Sequence, residues 1–171
     1  MIFLHGLESG PHGTKYHALL TRGEVISPDF QSCPTLEERV VVAEAATRGM
    51  TNLCLVGSSF GGLLAAVMFQ RYPERIGSYL LLAPALHRDE ALEIKSAPWP
   101  ALILHGNRDE IVPFSASLEF SKRFSIPLIE VDDDHRLSNS NPQMLQAFDI
   151  LQKMTQQLTP RSSSQGVRSG T

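Results

Sequence analysis

Residues 55–62, Leu-Val-Gly-Ser-Ser-Phe-Gly-Gly, could supply a nucleophile, because they contain the pattern G-x-S-x-G centred on Ser59. An apolar run precedes the pattern and a helix-compatible run follows it, which is typical of a nucleophile elbow, a tight strand-to-helix turn. A Cβ two residues before or after the serine would collide with this turn, and Gly57 and Gly61 carry none. The helix that begins at the turn would direct N–H groups and its positive dipole end toward a developing oxyanion.

Two other interpretations of this stretch have to be weighed. Ser58 is the nearest rival nucleophile, but the residue two positions before it is Val56, whose side chain would occupy the turn. The whole pattern could also be a Gly/Ser-rich loop that closes a buried strand. A catalytic role therefore requires a base, an orienting acid and oxyanion donors elsewhere in the chain.

Two further residues could complete a catalytic triad with Ser59. Asp109 lies in the loop that follows the apolar run 101–104, and His135 follows the apolar run 126–131. The chain order is Ser59, Asp109, His135, and separations of 50 and 26 residues fit one or two β–α units between members. The sequence therefore predicts Ser59 as nucleophile, His135 as base and Asp109 as the acid that orients the base.

The choice of acid leaves alternatives. Glu110 or the aspartates at 132–134 could supply the carboxylate, and Asp109 could instead cap the helix that follows Pro113. We favour Asp109 because it comes from a different strand end than His135 and could reach the imidazole nitrogen that faces away from Ser59. Three charged residues could also face the cleft: Lys15, Glu8 and Arg108.

The remaining histidines and the cysteines indicate no metal site. His5 and His105 stand beside glycines, where we expect them to brace the strand ends. The other three are expected at the surface: His12, His17 and His87. Cys33 and Cys54 fit no metal or redox spacing and are expected to be reduced. We expect no cofactor.

Apolar runs predict six short strands, at 2–4, 24–27, 52–56, 78–82, 101–104 and 126–131. Helices are predicted over 15–22, 36–47, the run after the elbow, about 115–124, and from Asn141 onward. Because the strands are continuously apolar rather than alternating, they favour an α/β fold with a mainly parallel sheet covered on both faces. In such folds reactive groups gather beyond the carboxyl ends of the strands, where the three predicted triad residues lie.

Two helices have a clear predicted inner face. Thr35-x-x-Glu38 is a capping-box pattern, and four residues then recur on one face: Leu36, Val40, Ala43 and Thr47. The last helix has an inner face of five residues: Leu145, Phe148, Leu151, Met154 and Leu158.

With these signatures, from His5-Gly6 through His135-Arg136-Leu137, the chain resembles the α/β-hydrolase superfamily, and within it small single-domain bacterial YqiA-like esterases. The resemblance implies the same triad and assigns the oxyanion donors to the backbone N–H groups of Leu7 and Phe60. The chain differs from larger members of the superfamily in two ways. Those members carry antiparallel strands before the first strand, and they carry a lid where this chain has only residues 87–98. The resemblance therefore implies the triad, but it does not define the pockets for the acyl and alcohol groups of the substrate.

The composition of the chain indicates which partners it binds and in which cellular compartment it is expected. The 171 residues, 42% hydrophobic with a net charge of −3, predict one domain over 1–158 without a basic footprint for nucleic acid. The Ser/Gly-rich residues 159–171 are predicted to be a disordered tail. We find no signal-peptide pattern and no apolar run of about 18 residues, so a cytoplasmic protein without membrane contact is expected. The oligomeric state stays open.

The predicted function is a serine hydrolase that cleaves small carboxylic ester or thioester substrates through an acyl-enzyme. Amide hydrolysis and perhydrolysis remain possible, since other chemistries on this fold use the same triad. The alternative is a non-catalytic module that binds a small molecule or a protein on a hydrolase fold.

Overall fold

Five parallel strands form one sheet in the computed structural model, which describes residues 1–158. The strands are β1 (Ile2–Leu4), β2 (Leu53–Ser58), β3 (Ile76–Leu82), β4 (Ala101–Gly106) and β5 (Leu128–Val131), and they lie side by side in chain order. The helices are α1 (Thr14–Leu20), α2 (Leu36–Ala46), α3 (Phe60–Arg71), α4 (Phe114–Phe124) and α5 (Asn141–Leu158). The predicted α/β fold class is confirmed.

The two faces of the sheet carry separate apolar cores, which explains why the strands are continuously apolar. Along β3, Tyr79 and Leu81 face the core that includes residues of α2, α3 and α4. Leu80 and Leu82 face the other core, which includes Leu19 of α1 and residues of α5. Successive side chains of a strand point to opposite faces, so a sheet covered on both sides requires apolar residues at every position.

The predicted second strand, 24–27, makes only one bridge to the sheet. Ile26 pairs with Ile2, the Phe3 N–H donates to the Ile26 carbonyl at 2.8 Å, and the Ile26 N–H donates to the Met1 carbonyl at 3.0 Å. Pro28 follows shortly and has no N–H to continue the ladder. The sheet therefore has five strands rather than six.

The predicted helix faces are largely correct. Thr35 Oγ1 accepts the Glu38 N–H at 3.3 Å and the Glu38 carboxylate accepts the Thr35 N–H at 3.0 Å, which completes the capping box. On α5, Phe148 and Leu151 are buried, but Leu158 is 55% exposed, contrary to the prediction. The last three residues of α5 are all exposed, because the helix there extends beyond the core it covers.

Two further expectations concern the limits of the chain. The predicted tail, 159–171, lies outside the described residues. Over residues 1–158, no helix combines the length and the apolar character needed to cross a bilayer.

Candidate active site

Ser59 occupies the turn between β2 and α3 in a strained conformation, with φ 56° and ψ −119°. Its N–H donates to the Leu82 carbonyl at 2.9 Å, and its carbonyl accepts the Ala85 N–H at 3.0 Å. A Cβ at position 57 would overlap the Gly61 carbonyl, and one at position 61 would overlap the Leu4 carbonyl. A Cβ at position 57 would therefore collide with the turn itself, as predicted, whereas a Cβ at position 61 would collide with the neighbouring strand β1 rather than with the turn.

The sheet brings Ser59, Asp109 and His135 together at one edge. Each follows the carboxyl end of a strand, and the register pairs Ser58 with Leu82, Leu82 with Leu104 and Gly106 with Val131, which aligns those ends. His135 Nε2 lies 3.0 Å from Ser59 Oγ, and His135 Nδ1 lies 2.7 Å from Asp109 Oδ2. When Nδ1 donates its proton to the carboxylate, Nε2 is the acceptor for the serine hydroxyl.

The Asp109 carboxylate is fully buried and accepts hydrogen bonds at both oxygens. Oδ1 accepts the N–H groups of Ile111 at 2.9 Å and Val112 at 2.8 Å, while Oδ2 faces His135 and His105. Burial alone would raise the pKa of Asp109, but the bonds from Val112, His135 and Ile111 outweigh it and hold that pKa below its ordinary value. Asp109 is therefore an anion that both shapes its own loop and faces His135.

The other carboxylates that could have oriented His135 have different partners. Asp133 accepts the Asp134 N–H at 2.9 Å, the Asn139 N–H at 2.9 Å and the Ser140 hydroxyl at 2.7 Å. Asp134 accepts the Arg136 N–H at 2.8 Å. Asp132 pairs at 2.8 Å with Arg108, and Glu110 is exposed. In the part of the chain that the structure describes, Asp109 is the one carboxylate bonded to His135.

His105 contacts Asp109 in a way that the sequence did not predict. Its Nε2 lies 2.9 Å from Asp109 Oδ2 and 3.2 Å from the Val112 carbonyl, and both of these accept only. Nε2 therefore carries the proton, and Nδ1 accepts the Ser117 hydroxyl at 2.7 Å. Burial, the largest influence, lowers the pKa of His105, although Asp109 acts to raise it. His105 is a neutral donor to Asp109 rather than a general brace.

The two residues predicted as oxyanion donors border Ser59. Phe60 follows it as the first residue of α3, and a Cβ placed on Gly6, the neighbour of Leu7, would lie 3.3 Å from Ser59 Cβ. His5 fixes the loop, since its Nδ1–H donates to the Gly6 carbonyl at 2.8 Å while its Nε2 accepts the Phe30 N–H at 2.9 Å. Within residues 1–158, the loop and turn hydrogen bonds use neither the Leu7 N–H nor the Phe60 N–H. Their role as donors to substrate stays a prediction.

The three charged residues expected near the cleft differ in position. Lys15 Nζ donates to the Arg136 carbonyl at 2.5 Å, beside His135, and burial lowers the pKa of Lys15 although Asp133 and Asp134 act to raise it. Arg108 pairs with Asp132 at the surface, and Glu8 is exposed. Of the three, Lys15 contacts the loop that carries His135.

The segment 87–98 packs against the core and reaches Phe60. It contains a 3₁₀ helix, Asp89–Glu93, and packs Ala91 and Ile94 into the core. The Arg88 guanidinium lies 4.9 Å from the centre of the Phe60 ring. A separate groove of about 770 Å³ lies near Met1 and Leu53, at the amino-terminal ends of the strands. Ser59 follows the opposite, carboxyl end of β2.

Comparison with known proteins relates the chain to solved structures alone. No family of known proteins and no curated protein matches the sequence. A protein from Xanthomonas campestris assigned to the α/β-hydrolase superfamily matches with 28% identity and a TM-score of 0.74, covering 89% of this chain and 96% of that one. Est1E from Butyrivibrio proteoclasticus matches with 18% identity and a TM-score of 0.74, covering 91% and 87%.

A third match is a monoacylglycerol lipase from Paleococcus ferrophilus, with 15% identity, a TM-score of 0.72 and coverage of 91% of this chain and 93% of the lipase. One of these three structures is described as a hydrolase of the α/β superfamily and one as a lipase, and all three extend over nearly the same length as this chain. Together with the five-stranded parallel sheet, these matches show that the chain has the α/β-hydrolase fold and is similar to a protein assigned to that superfamily.

Proposed function

We propose that the protein is a serine hydrolase that cleaves small carboxylic esters or thioesters. The observation that carries the proposal is the continuous hydrogen-bonded series from Ser59 Oγ through His135 to Asp109. Three residues from three separate strand ends meet in the geometry that acyl transfer needs. The resemblance to YqiA-like esterases and the fold of the neighbouring hydrolases are consistent with this proposal, and neither identifies the substrate.

In the proposed reaction, His135 Nε2 takes the proton of Ser59 as Oγ attacks the carbonyl carbon of the substrate. The carbonyl oxygen becomes an oxyanion, which the N–H groups of Leu7 and Phe60 would stabilise. The protonated His135 then gives its proton to the departing alcohol or thiol, and the acyl group stays on Ser59. Water then gives a proton to His135 and attacks the acyl carbon, the bond from that carbon to Ser59 Oγ breaks, and His135 returns the proton to Oγ as the acid is released.

Asp109 has two roles in this scheme. Its Oδ2 holds the proton on His135 Nδ1, so that Nε2 faces Ser59 as a base, and its negative charge stabilises the imidazolium that forms. Because Ile111, Val112 and His105 also donate to the carboxylate, its position is fixed before substrate binds. The base is therefore preorganised.

The test is hydrolysis of nitrophenyl acetate and of a matched acetyl thioester by the wild type, Ser59→Ala and Ser58→Ala. We expect Ser59→Ala to lose activity by a factor on the order of 10⁴ or more, because only oxyanion and binding effects would remain. Ser58→Ala should keep most of its activity, since Ser58 belongs to β2 and its hydroxyl is not bonded to His135. Wild-type protein without activity on either substrate would favour the non-catalytic binding module.

A further inference from the structure

Among residues 1–158, Arg39 is a buried cation without a counter-ion. It lies on α2, is 1% exposed, and its guanidinium donates only to neutral carbonyls: Cys33 at 2.9 Å, His5 at 3.0 Å, Gly6 at 3.3 Å and Phe30 at 3.4 Å. None of the ion pairs among residues 1–158 includes it. Removing a charge from water without an opposite charge is costly, so stability alone explains this residue poorly.

The Gly6 carbonyl connects Arg39 to the Leu7 N–H. The two groups belong to one planar trans peptide, in which the C=O and the N–H point in opposite directions. Arg39 Nη1 and His5 Nδ1 both donate to this carbonyl, so its direction is fixed from behind. The Leu7 N–H must then point away from Arg39. A cationic donor on the carbonyl also polarises the peptide and strengthens its N–H as a donor.

Arg39 also contacts the second predicted oxyanion donor. Its guanidinium carbon lies 5.1 Å from the centre of the Phe60 ring, and the Phe60 side chain is buried. The same guanidinium lies 5.2 Å from the Phe30 ring, so it is enclosed by two aromatic rings as well as by the carbonyls. One positive charge therefore contacts both the carbonyl of the Gly6–Leu7 peptide and the ring of Phe60.

We propose that Arg39 is a positioning residue for the oxyanion hole, which fixes the Leu7 N–H through the Gly6 carbonyl and adds an uncompensated positive charge behind both donors. This inference rests on the proposed function. Because the Arg39 side chain is buried, water screens its charge less than it would screen the charge of an exposed side chain. Arg39 acts through the peptide and through Phe60, without touching the substrate.

The test compares Arg39→Met and Arg39→Lys with Arg75→Met and Arg75→Lys as matched controls. The Arg75 guanidinium also donates to backbone carbonyls, those of Thr47 and Met50, and lies 5.3 Å from the Tyr72 ring, but it precedes β3 at the far end of the sheet. The measurements are kcat and KM for nitrophenyl acetate, and inhibition by a small alkylboronic acid, whose adduct with the serine is a tetrahedral anion.

We expect Arg39→Met to lower kcat about 10²-fold, as loss of one oxyanion donor does, and to weaken inhibition by the boronic acid in parallel, with little change in KM. The kcat of Arg39→Lys and its affinity for the boronic acid should lie between those of the wild type and Arg39→Met, because lysine keeps the charge but lacks the planar set of guanidinium donors. The Arg75 variants should lose stability without loss of kcat. If Arg39→Met does not fold, Arg39→Lys is compared with Arg75→Lys by kcat and by boronic acid inhibition, and this comparison tests the inference.

Folded Arg39 variants with the wild-type kcat and boronic acid affinity would overturn the inference, as would an equal loss in the Arg75 variants. The proposed function is checked separately by covalent labelling of wild-type Ser59 with a fluorophosphonate. A wild type that is labelled while the Arg39 variants behave as wild type refutes the role of Arg39 alone. A wild type that is neither labelled nor active refutes the proposed function, and this inference with it.

Discussion

The Asp109 carboxylate receives hydrogen bonds from two histidines that have different surroundings. His135 is 19% exposed and its other nitrogen faces Ser59, whereas His105 has no exposed surface and its other nitrogen accepts the Ser117 hydroxyl. A ring enclosed on all sides has no route for proton exchange with substrate. We therefore assign proton transfer to His135 and the fixing of Asp109 to His105.

At this scale we expect Asp109→Asn to keep the fold and to lower kcat by a factor on the order of 10⁴, because an amide nitrogen facing His135 would favour the wrong imidazole tautomer. Asp134→Asn is the matched control. Its carboxylate accepts the Arg136 N–H and is not bonded to His135 within the described residues, so this variant should leave the plateau of the pH–rate profile nearly intact. The measurement is a pair of kcat/KM profiles against pH. Collapse of the plateau in Asp134→Asn but not in Asp109→Asn would move the acid to the 132–134 loop.

The elbow between β2 and α3 is the element most sensitive to a single methyl group. Gly61→Ala should unfold the protein or abolish its activity, because the added Cβ would overlap the Leu4 carbonyl of the neighbouring strand, and backbone cannot move aside cheaply. Gly13→Ala is the control, since a Cβ there meets nothing within 4 Å and its φ is −76°. Thermal unfolding and ester hydrolysis of the two variants check this prediction. Equal behaviour of both would contradict it.

The segment 87–98 sets our prediction for the acyl chain. About a dozen residues with a 3₁₀ helix packed on the core provide no long apolar tunnel, so short acyl chains should be preferred. In a real pocket each buried methylene would add about 0.8 kcal/mol to binding. The measurement is kcat/KM for nitrophenyl esters from acetyl to dodecanoyl. A steady rise along the series would show an extended acyl pocket and contradict the prediction.

The elements differ in how far the sequence could predict them. Ser59 has a local steric signature in its flanking glycines, and Asp109 and His135 follow apolar runs in the order that a parallel sheet requires, so their meeting could be inferred. Arg39 has no such signature, because its burial depends on carbonyls from residues 5, 6, 30 and 33, which the fold alone brings together. The prediction of a strand at 24–27 was wrong for a related reason. Whether a segment at the edge of a sheet forms a strand depends on its pairing with the neighbouring strand, and here the pairing is a single bridge between Ile26 and Ile2.

We expect His5 and His105 to make the free energy of unfolding depend on pH. Burial, the largest influence, lowers the pKa of both below the ordinary value of 6.5. Below pH 6.5 the two histidines therefore bind protons in the unfolded chain while they stay neutral in the folded protein. Their contribution to the free energy of unfolding is complete above pH 6.5 and is lost as the pH falls through their lowered folded-state pKa values. Below pH 6.5 the free energy of unfolding should fall by up to about 1.4 kcal/mol per pH unit for each histidine.

Urea unfolding between pH 8 and 5 measures this dependence. The variants His5→Gln and His105→Gln should each reduce the slope below pH 6.5. His87→Gln, at an exposed position, is the control and should leave the slope unchanged. A wild-type stability that is flat from pH 8 to 5 would show that neither buried ring resists protonation.

Mass mapping of the protein after reaction with a fluorophosphonate tests the central claim most directly, because this reagent phosphonylates a serine only when a base and oxyanion donors activate it. We expect one modification, on the peptide that contains Ser59, with full labelling retained in Ser58→Ala and none in Ser59→Ala or His135→Ala. Labelling that persists in Ser59→Ala, or a wild type that stays unmodified, would contradict the assignment of Ser59 and His135 as an acyl-transfer site.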